Sequence, residues 1–183
     1  MKAIFPYLRR PLTWVGIATI YILPLLTLNG AVDMFLKLDT IEGESQDKTH
    51  GKEIDVLAWS WGASVPITRT AKTADVGPGI AQDLSVTKYV DKASPKLLIS
   101  AVTGKHIGDG TLVVRKAGES PVEYIKITMT DILVSSISTG GNGGEDKLTE
   151  TVSFNFSKVK FEYTPEVNGK TETPISETWD IYN

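Results

Sequence analysis

The chain predicts a mostly β fold, a barrel or sandwich with one helix. Short runs of Val, Ile, Thr and aromatic residues recur along it, Gly-rich connections separate them, and a single segment shows helical periodicity. With 183 residues, 41% of them hydrophobic, there is material for one domain with a sizeable core. Cysteine is absent, which excludes disulfides, thiolate metal sites and cysteine nucleophiles, so burial and strand pairing must hold the fold.

Residues 1–30 read as a separate object. They carry Lys2, Arg9 and Arg10 and no acid, and Trp14 to Leu28 (WVGIATIYILPLLTL) is uncharged and apolar. A basic start, an apolar run and then the stretch Asn29-Gly30-Ala31 follow the order of a secretory signal. A spanning helix needs roughly 20 apolar residues, so this run is short for one, and Pro24 would kink it. Arg9-Arg10 matches a twin-arginine signal only loosely. The expectation is a signal peptide or a membrane-contacting anchor, with a misassigned start codon as the alternative, followed by a domain over 31–183. Taking the three leader bases from the 19 leaves 16 bases against 22 acids, a body of net charge −6. Such a body repels phosphate backbones, which argues against nucleic-acid binding.

Along the body, Ala31 to Asp39 alternates with period two, placing Val32, Met34, Leu36 and Leu38 on one face. Glu42 to Lys52 (EGESQDKTHGK) reads as a surface loop. Glu53 to Trp61 is a second strand, with Leu57, Trp59 and Trp61 on one side and Val56, Ala58 and Ser60 on the other. From Gly62 to Gln82 (GASVPITRTAKTADVGPGIAQ) no periodicity survives, and a loop of about 20 residues in a compact domain is functional or disordered. Leu84 to Tyr89 returns to strand alternation.

The helix runs from Ser94-Pro95 to Gly104. Ser94 is expected to cap the free amides, Pro95 suits the first turn, and Gly104 suits the left-handed end. Leu97, Leu98, Ala101 and Val102 form its expected apolar face. Strands follow at Thr111–Arg115, Val122–Met129, Ile132–Ser138, Leu148–Lys160 and Glu177–Tyr182. Lys116 to Gly118 and Thr139 to Asp146 (TGGNGGED) supply turn residues between them.

No catalytic, cofactor or metal grouping emerges. His50 and His106 sit in polar loop contexts without a second ligand at metal spacing, and read as solvated. Asp39, Glu42, Glu44 and Asp47 lack the Gly and terminal Glu of a calcium loop, and Glu145-Asp146 reads as solvated charge. Gly104-Lys105-His106 lacks the spacing of a phosphate loop.

Several blocks carry a family resemblance: DMFLKLDTIEGESQDKTHGKEIDVLAWSWG (Asp33–Gly62), LSVTKYVDKASPKLLISAVTGKHI (Leu84–Ile107), LVVRKAG (Leu112–Gly118) and VEYIKITMTDILVSSISTGGNGGEDKLTETVSFNF (Val122–Phe156). In this order they resemble the haemolysin-coregulated protein (Hcp) family, the tube and effector carrier of type VI secretion. The resemblance covers nearly all of residues 31–183; the leader is extra, and the 62–82 loop does not match in sequence. It implies a small β-barrel of two packed sheets with one flanking α-helix, six copies in a ring, and rings stacked into a tube. It further implies a sheath, a spike protein and secreted effectors as partners, cytoplasmic assembly followed by secretion, and no catalytic residue.

Two site expectations rest on that role. The 62–82 loop, with Thr68, Arg69, Thr70, Lys72 and Thr73 at its centre, reaches the next ring, because a Thr- and Gly-rich segment with little internal packing orders on contact. Ser60 and Ala58, facing away from Trp59 and Trp61, line the bore; a solvated outer face is equally compatible with the alternation. Two other readings are an exported stand-alone binding domain with this fold, periplasmic or membrane-anchored, and a small hydrolase, for which no nucleophile, base and orienting group assemble.

Overall fold

The computed structural model describes residues 32–118 and 121–182. The leader and its proposed cleavage or anchoring lie outside the described residues. Among the described residues no helix is long and apolar enough to cross a membrane.

The first strand, β1 (Val32–Leu38), pairs antiparallel with both β2 (Ile54–Ser60) and β8 (Gly110–Lys116). The chain then builds β7 (Leu84–Tyr89), β9 (Val122–Thr130), β10 (Leu133–Thr139), β11 (Thr149–Asn155), β12 (Lys158–Tyr163) and β15 (Ile175–Asp180). These nine strands form one antiparallel sheet in the order β10-β11-β7-β2-β1-β8-β9-β12-β15. It bends into two packed layers, β10-β11-β7-β2 and β1-β8-β9-β12-β15, the barrel of two sheets that the resemblance implied. Between them lie Leu36, Ile54, Leu84, Val86, Leu112, Ile127, Met129, Val152 and Phe154, nearly all fully buried. Each such side chain contributes about 1.5–3 kcal/mol by leaving water. Trp61 of one layer stacks on Phe161 of the other, centroids 6.5 Å apart.

The run Leu148 to Lys160, expected as one strand, is two. A break at Phe156-Ser157, where Ser157 N–H donates to the Thr130 carbonyl at 3.1 Å, carries the chain from β11 in one layer to β12 in the other. No Gly or Pro marks it. A short hairpin absent from the sequence expectations, β13 (Glu166–Val167) with β14 (Lys170–Thr171), turns through Asn168 and Gly169, both at positive φ as a tight hairpin requires.

The helix, α1 (Ser94–Thr103), lies against β10, and its end at Gly104 is left-handed with φ 62°, as expected. Two expectations for it are corrected. Ser94 is the first helical residue and not the cap: Ala93 occupies the cap position, and the Ser94 hydroxyl is drawn instead to buried charge on the sheet. Its apolar pattern also fits two overlapping faces, and the chain buries Leu97 with Ser94, Ser100 and part of Ala101, leaving Leu98, Ile99 and Val102 exposed.

Candidate assembly surfaces

The segment 62–82 is a paired ribbon, which corrects the expectation of a structureless loop. Four short strands continue the β2 and β7 ladder outward: β3 (Ala63–Ser64) pairs β6 (Ile80–Ala81), and β4 (Ile67–Arg69) pairs β5 (Ala74–Val76). Its root is pinned where Gln82 N–H donates to the Gly62 carbonyl and the Trp61 indole donates to the Gln82 carbonyl, both at 2.9 Å. Thr68 and Arg69 lie on β4; Thr70, Lys72 and Thr73 make the tip, where the two threonine hydroxyls stand 2.8 Å apart. Small and β-branched residues satisfy the backbone here without a buried face, so the hydrophobic contrast that announces a strand is missing. Ile67 and Val76, cross-strand partners, are 54% and 65% exposed. A two-stranded ribbon of this kind is marginal in water by itself.

The second surface is the outer face of β10-β11-β7-β2. A bulge in β2 between Val56 and Ala58 shifts the alternation by one residue. Ile54 and Val56 therefore point into the core before it, and Trp59 packs on the core after it. This corrects the expected faces: Val56 does not share a side with Ala58 and Ser60, and Leu57 is exposed. Ala58 and Ser60 themselves face outward as expected.

Strand register then aligns two rows across the layer. Ser60 pairs with Ser85, Ser85 with Ser153 and Ser153 with Ser136; Ala58 pairs with Thr87, Thr87 with Thr151 and Thr151 with Ser138. Seven hydroxyls and a methyl make an uncharged, hydrogen-bonding wall. The expectations named only Ser60 and Ala58. The alternating Ser and Thr of SVTK, TVSF and SSIST were a visible signal, but joining them requires register. Two free backbone edges flank the wall. β10 is the outer strand of the sheet, and β2 pairs with β1 only at Ile54 and Asp55, leaving Leu57 to Ser60 unpaired on that side.

Two polar knots brace the fold, one buried beneath the wall and one on the other layer, under the 42–52 segment. Lys88 is fully buried; its ammonium donates to the Tyr89 carbonyl, Asp91 and Glu150, each at 2.7 Å, and to Ser94 Oγ at 3.2 Å. Ser94 also donates to Glu150 at 2.7 Å, tying α1 to β7 and β11. In the second knot Arg115 donates to Asp33 at 2.9 Å and Asp47 at 2.6 Å, with its guanidinium 4.9 Å from the Phe35 ring.

His50, read as a solvated loop residue, is buried. Its ring stacks on Phe35 at 4.3 Å, and its two nitrogens face Glu53 at 3.0 Å and Glu123 at 3.3 Å. The 42–52 segment is correspondingly folded back on the sheet: Gly43 N–H donates to the Lys52 carbonyl at 2.7 Å, and a Cβ at Gly43 would overlap the Glu53 carbonyl oxygen. His106 is exposed and pairs with Asp131. Of the four acids weighed for calcium, Asp47 is taken by Arg115 and Glu42 by Lys52 and Lys92. Among the described residues no group of three His, Asp or Glu is arranged to hold a metal.

The fold and these surfaces define a barrel subunit with open sheet edges, a projecting ribbon and a hydroxyl-lined wall. A family model described as type VI secretion system effector, Hcp, matches residues 35–163. The chain is 48% identical over 155 residues to Protein hcp1 of Pseudomonas aeruginosa, covering 82% of this chain and 96% of that protein. A solved type six secretion system protein superposes with a TM-score of 0.77 at 34% identity, covering 83% of this chain and 97% of that one. Hcp1 from Salmonella typhimurium does so at 0.66 and 38%, covering 83% and 96%. The chain belongs to the Hcp family, the tube and effector proteins of type VI secretion. That assignment favours the tube reading over a stand-alone exported domain and carries oligomeric tube assembly in general.

Proposed function

We propose that six copies of this chain close into a ring, that rings stack into the inner tube of a type VI secretion apparatus, and that effectors ride against its bore. The observation that carries this is the uncharged Ser/Thr wall lying between two free sheet edges. An unpaired edge is an aggregation hazard unless a neighbour covers it, and a heterologous contact that closes on itself covers every edge at once. Edge β10 of one copy beside the open half of β2 on the next turns the wall inward all round. The ribbon, with Thr68, Arg69, Thr70, Lys72 and Thr73, projects out of the ring plane toward the next ring. Sheath and spike act as partners outside and at the tip of the tube, and the subunit assembles in the cytoplasm and leaves through the apparatus.

Negative-stain microscopy with size-exclusion light scattering, on the full-length chain and on residues 31–183, tests the reading. Six-membered rings are the expected result. A processed periplasmic monomer would instead support a stand-alone exported domain, the alternative that the leader favours.

The bore assignment has its own test. Ser60→Trp places a large ring in the first hydroxyl row, so effectors co-purifying with intact rings should fall severalfold. Unchanged retention would place Ser60 on a face that cargo does not touch.

A further inference from the structure

The ribbon needs a seat, and a groove at the opposite ends of the strands that carry it has matching chemistry. β2 runs from Ile54 to Ser60 and β7 from Leu84 to Tyr89; the ribbon leaves from Ser60 and returns at Leu84. At the far ends of the same two strands is a groove of about 410 Å3. Tyr89, Val90 and Leu148 give it an apolar floor, each between 37% and 44% exposed. Asp55 and Asp146 stand on its wall without a partner among the described residues. Asp91 is engaged by Lys88, Glu44 accepts the Lys92 amide, and Lys147 lies 5.1 Å over the Tyr89 ring.

The ribbon is the complement. Arg69, the last residue of β4, and Lys72 in the tip make no ion pair with any described residue, and Ile67 and Val76 behind them are exposed apolar surface. At about 3.3 Å per residue of strand, its roughly ten residues each way set an upper limit of about 30 Å on its reach beyond Ser60, a span that a copy displaced along the strand axis falls within. A head-to-tail contact between two different patches of one chain generates an open stack rather than a closed pair.

We propose that the ribbon tip of each copy docks in this groove on a copy in the adjacent ring, Arg69 and Lys72 against Asp55 and Asp146, Ile67 and Val76 over Tyr89, Val90 and Leu148. The proposal rests on the ring-stacking reading above and names the receiving surface. The ribbon supplies the apolar contact that holds the stack, and the charges set its register.

The test is a charge swap on the full-length chain, scored by ring and stack counts on grids. Arg69→Glu with Lys72→Glu should keep single rings and cut stacks at least about tenfold, and Asp55→Lys with Asp146→Lys should do the same. All four changes together should restore stacking, because each contact is again between opposite charges. Parental stacks should shorten in about 1 M salt, where screening acts within about 3 Å. Stacks indifferent to either reversal, or not restored by the fourfold variant, would overturn the docking while leaving the ring intact. A parent that forms no rings would overturn the assembly reading itself.

Discussion

Lys88→Met should lower the unfolding free energy by about 3–5 kcal/mol, the usual consequence of deleting one partner from a buried ion pair. Lys88 has no exposed surface, and Glu150 beside it is 1% exposed. Without the ammonium, that carboxylate keeps only the Ser94 hydroxyl, and Asp91 loses its cation. The loss is a large share of the roughly 5–15 kcal/mol that holds an ordinary domain together. Urea unfolding at one protein concentration measures it, with the midpoint falling and the slope unchanged. Replacing Glu150 as well, Lys88→Met with Glu150→Leu, should recover the part of the loss that comes from the stranded Glu150 carboxylate, while Asp91, still without its cation, keeps the remainder. A single-variant loss under about 1 kcal/mol would mean that water reaches the site.

This knot explains why α1 was only half legible. Leu97 and Ala101, or Leu98 and Val102, satisfy the same spacing. The choice between them is made by Ser94, whose hydroxyl is fixed on Lys88 and Glu150 and so sets the rotation of the helix. Glu150 is far along the chain from Ser94, so no local pattern contains the answer. The same holds for His50, whose polar neighbours in EGESQDKTHGK hide that Phe35 and Glu123 enclose it. In β2 the outward side of Ser60 was legible from Trp59, but the bulge at Leu57 was not, since an inserted residue leaves the alternation on each side of it intact.

The ribbon is the opposite case. Its Thr, Ala, Val and Gly residues carry no periodic contrast because neither face is buried in one copy, and only backbone pairing across the Thr70 to Thr73 turn makes it a structure. What the sequence did mark there was length without a core. A segment that cannot bury itself is the natural candidate for burial against another copy, and Ser/Thr rows that match only after register is known are the natural candidate for a wall.

Asp47→Asn should flatten the acid limb of stability, and the slope measures how firmly Arg115 clamps the 42–52 segment to the sheet. The Arg115 guanidinium beside Asp47 holds its carboxyl well below the usual carboxylate range, helped by the Thr49 hydroxyl and amide and by the His50 amide. Arg115 is in turn pushed above its already high value, chiefly by Asp47 and then by Asp33, so it stays charged throughout. With a depressed folded-state value, Asp47 contributes stability that is complete above the unfolded-state pKa of about 4 and is lost progressively as pH falls below it. There the unfolded chain binds up to about one proton more than the folded chain at this site. The parent should therefore lose stability steeply between about pH 4 and about pH 2, while Asp47→Asn, weaker at pH 7, loses that much less. Arg115→Lys should behave similarly, because an ammonium cannot span Asp33 and Asp47 as a fork does. Urea midpoints across this range decide the matter: parent and Asp47→Asn curves that converge on acidification support the clamp. A constant gap would mean that Asp47 titrates alike in the folded and unfolded chains, leaving the segment to be held by its backbone bonds, the Phe35–His50 stack and the contacts of Glu42 and Glu44 with Lys92.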